Sequence, residues 1–391
     1  MIALSFLGTG NYSVTNYKYG ENIVETNHFP FAFKEFVKPE KLFVIMTEKA
    51  KEVHCKELKE LCEFEEILIP DGKSEDEFWI IFDKITNVIK ENDEVIFDIT
   101  HGFRSQPFLV IVLLQYLKVL KKIKINNIMY GAFEAKNEEN ITPVFELKSF
   151  VDLLDWSDAV REFTENGNMK YFKTLLTSIH KNSRLKKTGT PAKQLHGAGK
   201  DLDDLTDAFE TIRINEVFKT TVSFQNRLKD LLEDLEHHIE AKPFKALLEK
   251  IVNKFSSISS ADKNLFTSKG FEAQKSILHW YAETNKYQKA FTLAREYITS
   301  KYMIEVLKQD KYNLTEVKKR EAASKDLSSI LQLLKNDISI TGRKGEYGKI
   351  WQKIVLVRND LNHAGMNAHP QNSKKIIEQT ETIISEIIEK F

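Results

Sequence analysis

Cysteine is nearly absent from this chain: Cys55 and Cys62 are the two in 391 residues. That excludes a disulfide-stapled secreted fold, and no zinc spacing surrounds either residue. Both are read as free thiols of a reducing cytosol. Net charge is absent as well, with 57 basic side chains against 57 acidic ones. This excludes a broad basic coat and confines any nucleic-acid contact to a small local site. No apolar run is long enough to span a bilayer. The longest, Pro107 to Leu120, is interrupted by Gln115 and Lys118. The N-terminus MIALSFLGTG lacks a basic leader and enters a strand pattern at once, so the expected compartment is the cytoplasm. Fixed-period repeats and low-complexity tails are missing too. What remains, 42% hydrophobic and 29% charged residues, is a globular composition with length for two or three domains.

The first 148 residues alternate short apolar runs with amphipathic stretches. Strands are expected at Ile2–Leu7, Leu42–Met46, Ile67–Ile69 and Val95–Ile99, with helices at Lys49–Leu61, Asp76–Lys90 and Pro107–Leu120. The last of these helices reads as buried. Ile125–Phe133 and Thr142–Leu147 flank a polar turn and suggest a closing hairpin. This pattern predicts an α/β domain with a parallel, doubly wound sheet over residues 1–148. From residue 149 to 391 nearly everything has helical period, which predicts an all-α region. Its expected helices include one long rod, Leu202–His238, and breaks at Lys186–Pro191, Ser256–Ala261 and Ser339–Gly345. No Gly/Ser linker marks the boundary.

In open α/β sheets ligands bind beyond the carboxyl ends of the strands. Two loops fit that position. Gly8, Thr9, Gly10 and Asn11 follow the first strand, where glycines let backbone amides approach a phosphate. The third glycine of a dinucleotide fingerprint is replaced by Ser13, which disfavours a nicotinamide cofactor. The second loop, after the fourth expected strand, carries Thr100, His101, Gly102, Phe103, Arg104 and Ser105 just before Pro107. A helix N-terminus with an arginine beside it is a natural anion site. The stretch Gly197-Ala198-Gly199-Lys200 departs from a phosphate loop at its first glycine and at Asp201, and is read as a loop preceding a helix.

The string EVIFDITHGFRSQP resembles the sheet domain of CRISPR-associated Rossmann-fold (CARF) proteins. In one branch of that family a strand ending in Asp-x-Thr-His-Gly-x-Arg-Ser opens a helix. The resemblance implies that Thr100, His101, Gly102, Phe103, Arg104 and Ser105 form one wall of a ligand pocket. Gly8, Thr9, Gly10 and Asn11 would form the other. It also implies a ring-shaped activator shared across a homodimer, cyclic tetra-adenylate first and cyclic hexa-adenylate second.

Near the C-terminus, Arg358-Asn359-Asp360-Leu361-Asn362-His363 has the Arg-x-x-x-x-His spacing of HEPN ribonucleases, with Asn359 directly after the arginine. The chain has nine arginines and ten histidines, so about 0.2 such matches arise by chance. The helical setting and the apolar helix before the motif carry the weight. An imidazole can transfer protons near neutral pH, and a guanidinium can clamp a phosphate. Five residues turn a helix by about 500°, so Arg358 and His363 leave it about 140° apart. Resemblance to the HEPN family implies that two domains pair to complete a site made of Arg358, Asn359 and His363. It implies a metal-independent endoribonuclease acting on single-stranded RNA and leaving 2′,3′-cyclic phosphate ends. No His-Glu-x-x-His occurs, and His237-His238 lacks ligand spacing, so no metal cofactor is expected. The rival reading is a ligand-sensing regulator without catalysis, for which a basic recognition helix would be needed; none is found.

Overall fold

In the computed structural model, residues 1–391 are described except 103–104, 186–189, 260–263, 311–313, 337 and 367–368. The chain forms two compact units, Met1–Asp155 and Trp156–Phe391.

The N-terminal unit is built on one eight-stranded sheet. Its strands are β1 (Ile2–Leu7), β2 (Thr15–Tyr19), β3 (Asn22–Thr26), β4 (Lys41–Met46), β5 (Glu65–Leu68), β6 (Glu94–Asp98), β7 (Lys124–Gly131) and β8 (Ile141–Glu146). Their order across the sheet is β3-β2-β8-β7-β6-β1-β4-β5. β1 pairs in parallel with both β4 and β6. The expected closing hairpin is present: β7 and β8 run antiparallel with Tyr130 opposite Phe145. The helices are α1 (Phe29–Val37), α2 (Glu48–Ala50), α3 (Lys56–Leu61), α4 (Glu75–Val88) and α5 (Gln106–Leu120).

Alternation along each central strand supplies two cores. Leu4, Phe6, Phe43, Ile45, Val95 and Phe97 pack on one face with Ile81 and Ile85 of α4 and Val110, Leu113 and Leu117 of α5. Ala3, Leu7, Val44, Met46 and Ile96 pack on the other with Phe29 and Phe33 of α1. Side chains two apart share a face, so a strand buried on both sides reads as a continuous apolar run. That is why β1, β4 and β6 are visible in sequence.

Three elements escape that pattern. β2 and β3, TNYKY and NIVET, form an antiparallel edge pair with few buried positions. A half-solvated edge carries a weak hydrophobic signal. α1 follows at once, with Pro30 in its first turn. The expected helix Lys49–Leu61 is interrupted by a π turn, Lys51–Cys55, which puts Cys55 in the π turn and Cys62 in an extended cap. α5 is only half buried: Phe108 and Val119 are 74% and 75% exposed. Its apolar residues run all round the helix, so the sequence could not show which face lacked a neighbour.

The chain then enters α6 (Lys148–Asn166), followed in the C-terminal unit by α7 (Lys170–Leu185), α8 (Leu195–Glu210), α9 (Ile214–His237), α10 (Lys242–Ser259), α11 (Ser268–Glu283), α12 (Tyr287–Glu305), α13 (Val317–Lys335), α14 (Gly342–Asn362) and α15 (Ser373–Lys390). The rod expected over Leu202–His238 is two helices. Ile212 takes φ 57° between them, a left-handed turn that no glycine announced. Gly197 and Gly199 lie inside α8 and not in a loop. A Cβ on Gly199 would stand 3.0 Å from the Lys173 backbone, so the glycine lets α7 and α8 approach closely. α10 runs through Ser256, and α14 begins at Gly342, inside two of the expected breaks.

Candidate functional site

β1 is flanked by β4 and β6, so the order of the parallel strands reverses beside it. At such a switch point the loops leaving neighbouring strands part and open a crevice. The two loops are those after β1 and β6. They touch through Gly8: a Cβ there would lie 2.7 Å from the carbonyl oxygen of His101. The Gly8 amide donates to the Tyr12 hydroxyl at 2.9 Å. The Tyr12 ring stacks on His101, with centroids 3.9 Å apart, and on His54 at 4.6 Å.

Beneath the second loop lies Asp98, fully buried at the end of β6. It accepts from Ser5 Oγ at 2.5 Å, and from the Thr100 amide and hydroxyl at 2.8 and 2.6 Å. The Thr100 hydroxyl in turn accepts from the Gly131 amide at 2.8 Å. Its proton is therefore committed to the scaffold, and it offers a ligand at most a remaining lone pair.

A cavity of about 170 Å³ opens at these strand ends, lined by Asn11, Tyr12, Ser13, Tyr17, Thr100, His101, Tyr130, Gly131, Phe133 and Glu134. Of the residues expected from sequence, Asn11, Thr100 and His101 come together here. Gly8, Thr9, Gly10, Gly102 and Ser105 do not line it. Gly8 and Gly102 allow tight packing instead; a Cβ on Gly102 would meet Phe6 at 3.2 Å. Phe103 and Arg104 lie outside the described residues. Tyr12 and Ser13 belong to the loop expected after the first strand; sequence reasoning missed Tyr17, Tyr130, Gly131, Phe133 and Glu134. The aromatic residues among them resemble core positions in sequence, and the β7 end carries no motif.

Burial sets the protonation states. Desolvation, aided by His28 and His54, pushes His101 down to about 3, so its ring is neutral. Nε2 accepts from the Phe29 amide at 3.3 Å, which assigns the proton to Nδ1. Desolvation raises Tyr12 to about 12, keeping its hydroxyl protonated. The Tyr130 hydroxyl, 2.7 Å from Glu134, holds that carboxyl below its usual range. The described lining thus has stacking rings, neutral donors and one carboxylate, and no lysine or arginine. Its stacking rings and neutral donors suit a flat heteroaromatic base.

Asp98 makes a pH prediction. Burial raises it to about 7 against hydrogen bonds from Ser5 and Thr100 that lower it. Between about pH 4 and 7 the folded chain holds a proton that the unfolded chain has released. Stability therefore falls as pH rises through that window, by up to about 4 kcal/mol for one site. Asn in its place keeps the acceptor and removes the titration. Thermal midpoints of wild type and Asp98→Asn measured from pH 5 to 8 are expected to diverge, wild type losing more; parallel curves would contradict the assignment.

The second expected site lies on α14. Val357 and Ile354 are buried, Arg358 is half-buried, and Asn359 and His363 are exposed. His363 is the residue that caps the helix, its amide donating to the Asn359 carbonyl at 2.9 Å. Arg358 faces α12, where burial and the charge of Arg295 lower its pKa against the attraction of Glu296. Its Nε is buried without a hydrogen-bond partner among the described residues. Glu296 is already engaged, by Arg295 at 2.6 Å and Arg320 at 2.5 Å. Two guanidinium groups thus pair with one carboxylate, and a third, Arg358, lies close enough to feel their charges. Arg295, Glu296 and Arg320 border a cavity of about 330 Å³. Excess positive charge of this kind attracts a phosphate. As the helical spacing requires, Arg358 and His363 leave the helix in different directions, one inward and one to solvent. Asp360, buried between them in sequence, accepts from the Gln371 amide at 3.0 Å and ties down the segment after the helix.

Residues 2–134 match the family model for the CARF domain of the CRISPR system endoribonuclease Csx1. Residues 152–262 match the model for the second domain of CRISPR-associated protein MJ1674. The Arg358–His363 segment lies beyond both ranges. CRISPR-associated protein MJ1674 of Methanocaldococcus jannaschii is 25% identical over 317 residues, which cover 78% of this chain. The chain spans 44% of that relative's length. No helix among the described residues is long and apolar enough to cross a membrane. The switch-point cavity, the loops around it and these matches support a CRISPR-associated protein with an N-terminal CARF domain followed by a helical region.

Proposed function

We propose that the chain is a cyclic-oligoadenylate-activated endoribonuclease of a type III CRISPR system, with a HEPN-type catalytic helix at α14. The observation that carries the sensing half is the aromatic-rich cavity at the switch point of a CARF-type sheet, formed where the β1 and β6 loops meet. Adenine rings pack against the aromatic lining, where Tyr130 and Phe133 stand with the stacked Tyr12–His101 pair, and Asn11 and the loop amides take polar contacts. A two-fold symmetric ring, tetra-adenylate before hexa-adenylate, fills two such cavities in a homodimer.

The uncovered face of α5 supports that dimer. Phe108, Ile111, Val112, Tyr116 and Val119 are 37–75% exposed on one helix, an apolar face of the kind that marks an interaction site. A two-fold partner presents the same patch and buries both.

In the cleavage step the RNA 2′-oxygen bonds to the adjacent phosphorus and the bond to the 5′-oxygen breaks. One His363 takes the 2′-hydroxyl proton, and its counterpart on the second copy protonates the leaving 5′-oxygen. Arg358, backed by Arg295, stabilises charge on the phosphate, and Asn359 orients it. The products are a 2′,3′-cyclic phosphate and a 5′-hydroxyl. Catalysis needs no metal, and activation couples two separate sites. The test is cleavage of a fluorescent single-stranded RNA with and without cyclic tetra-adenylate, run both in the presence and in the absence of EDTA. Stimulated cutting is the expected result. If neither tetra- nor hexa-adenylate yields cutting, the chain is a ligand-sensing regulator instead.

A further inference from the structure

Beside the β1 loop three ligand-type side chains converge from separate elements. His28 is the residue before α1, His54 sits in the π turn, and Glu57 lies in α3. One donor atom from each lies within 4.8 Å of the others. His28 is completely buried. Its Nε2 is 3.1 Å from Glu57 Oε2, yet neither ring nitrogen has an aligned hydrogen-bond partner among the described residues. Burying an imidazole so poorly paired is costly unless another group completes it.

We propose that His28, His54 and Glu57 bind one divalent transition-metal ion of the Zn²⁺ class. Two atoms each about 2.0–2.1 Å from a tetrahedral ion stand about 3.3 Å apart, near the His28–Glu57 separation. The supporting contacts are those a metal site needs. His54 Nε2 is 2.8 Å from the Gly10 carbonyl, and a carbonyl can only accept. The proton therefore sits on Nε2 and leaves Nδ1 with a lone pair. Glu57 Oε1 accepts from Asn27 Nδ2 at 3.1 Å, which aims the second oxygen at His28. Two imidazoles and a carboxylate suit zinc and leave a fourth position for water. Exposure of Glu57 provides an entry path. The π turn fits as well, since such insertions occur often at functional sites.

The ion has a definite structural consequence. It holds His54, which holds Gly10, and His54 stacks on Tyr12 of the cavity wall. Metal binding thus orders the Gly8–Ser13 loop. Its three ligands belong to the N-terminal unit, and the expected cleavage residues Arg358 and His363 to the other. No metal was expected from the sequence, because no His-Glu-x-x-His occurs and His237-His238 lacks ligand spacing; His28 is separated from His54 by α1, β4 and α2 and shares no local motif with it.

The test uses full-length protein stripped with a chelator and titrated with ZnCl₂, with Co²⁺ absorption as a second probe. Wild type is expected to bind one ion per chain. His54→Gln and Glu57→Gln are expected to weaken binding at least tenfold; Glu57 is exposed, so that variant tests the site even where a buried histidine cannot be replaced without unfolding. Amide exchange in residues 8–13 is expected to slow on adding ZnCl₂ to wild type and not to Glu57→Gln. Absence of a stoichiometric ion, or equal binding by both variants, overturns the proposal, and unchanged exchange overturns its link to the loop.

Discussion

His363→Ala is expected to lower activator-stimulated RNA cleavage by about 10²–10⁴-fold, the range for losing a positioned proton-transfer group. The side chain is exposed at the end of α14 and packs in no core, so the thermal midpoint should stay within a degree or two of wild type. Activator affinity should not move, because the cavity lies in the other unit. Arg358→Ala is expected to cost about 10²–10³-fold by removing charge stabilisation. It differs from the histidine variant in a second respect. Arg358 is half-buried against Arg295 and Glu296, so its removal relieves like-charge repulsion and should not destabilise the fold strongly. Mixing His363→Ala with wild type tests the paired site. A shared cleft that needs both histidines is inactive in the mixed dimers, whereas two independent sites leave each mixed dimer about half active. Normal cleavage by His363→Ala would remove α14 from the mechanism.

The second large effect is at Gly8. A methyl group there meets the His101 carbonyl at 2.7 Å and the Tyr12 hydroxyl at 3.1 Å. The first is backbone and cannot swing aside, so the β1 and β6 loops must separate. Overpacking of this kind costs about 1–3 kcal/mol, which read as lost binding is roughly 5- to 150-fold. Gly8→Ala is therefore expected to weaken cyclic tetra-adenylate binding by that factor in calorimetry. Gly10→Ala is the control. Its added methyl stands 3.4 Å from the Tyr12 ring, an ordinary contact, and affinity should change little. Equal affinities for wild type and Gly8→Ala would show that contact between the loops does not shape the ligand site.

Legibility of the site in the sequence followed distance along the chain. Asp98, Thr100 and His101 form a local unit at one strand end, and their string resembled a known loop strongly enough to point to a pocket. Asn11 was reachable because a loop after the first strand of such a sheet has few other places to go. Tyr130 and Glu134 come from the far end of β7, and Tyr17 from an edge strand, and no local pattern connects them. Gly8 was read as a phosphate contact and Gly102 as pocket lining, but both stand where an added Cβ would meet loop or sheet atoms closely. Helix starts carry a local signal where a capping side chain stands, as Ser74 and Thr267 do. They were not legible at Ile212, where a β-branched residue takes a left-handed turn because the packing of α8 and α9 demands it.

The sequence by itself determined the two-part plan, the strands at the centre of the sheet and the helical spacing that separates Arg358 from His363. These depend on periodicity and on the geometry of one element, which neighbouring residues encode. Tertiary structure alone decided which face of α5 stays uncovered, which aromatic rings wall the cavity, and that His28, His54 and Glu57 meet. Such outcomes depend on strand order and on the angles at which helices cross. A one-dimensional pattern carries no term for the partner that arrives from a hundred residues away.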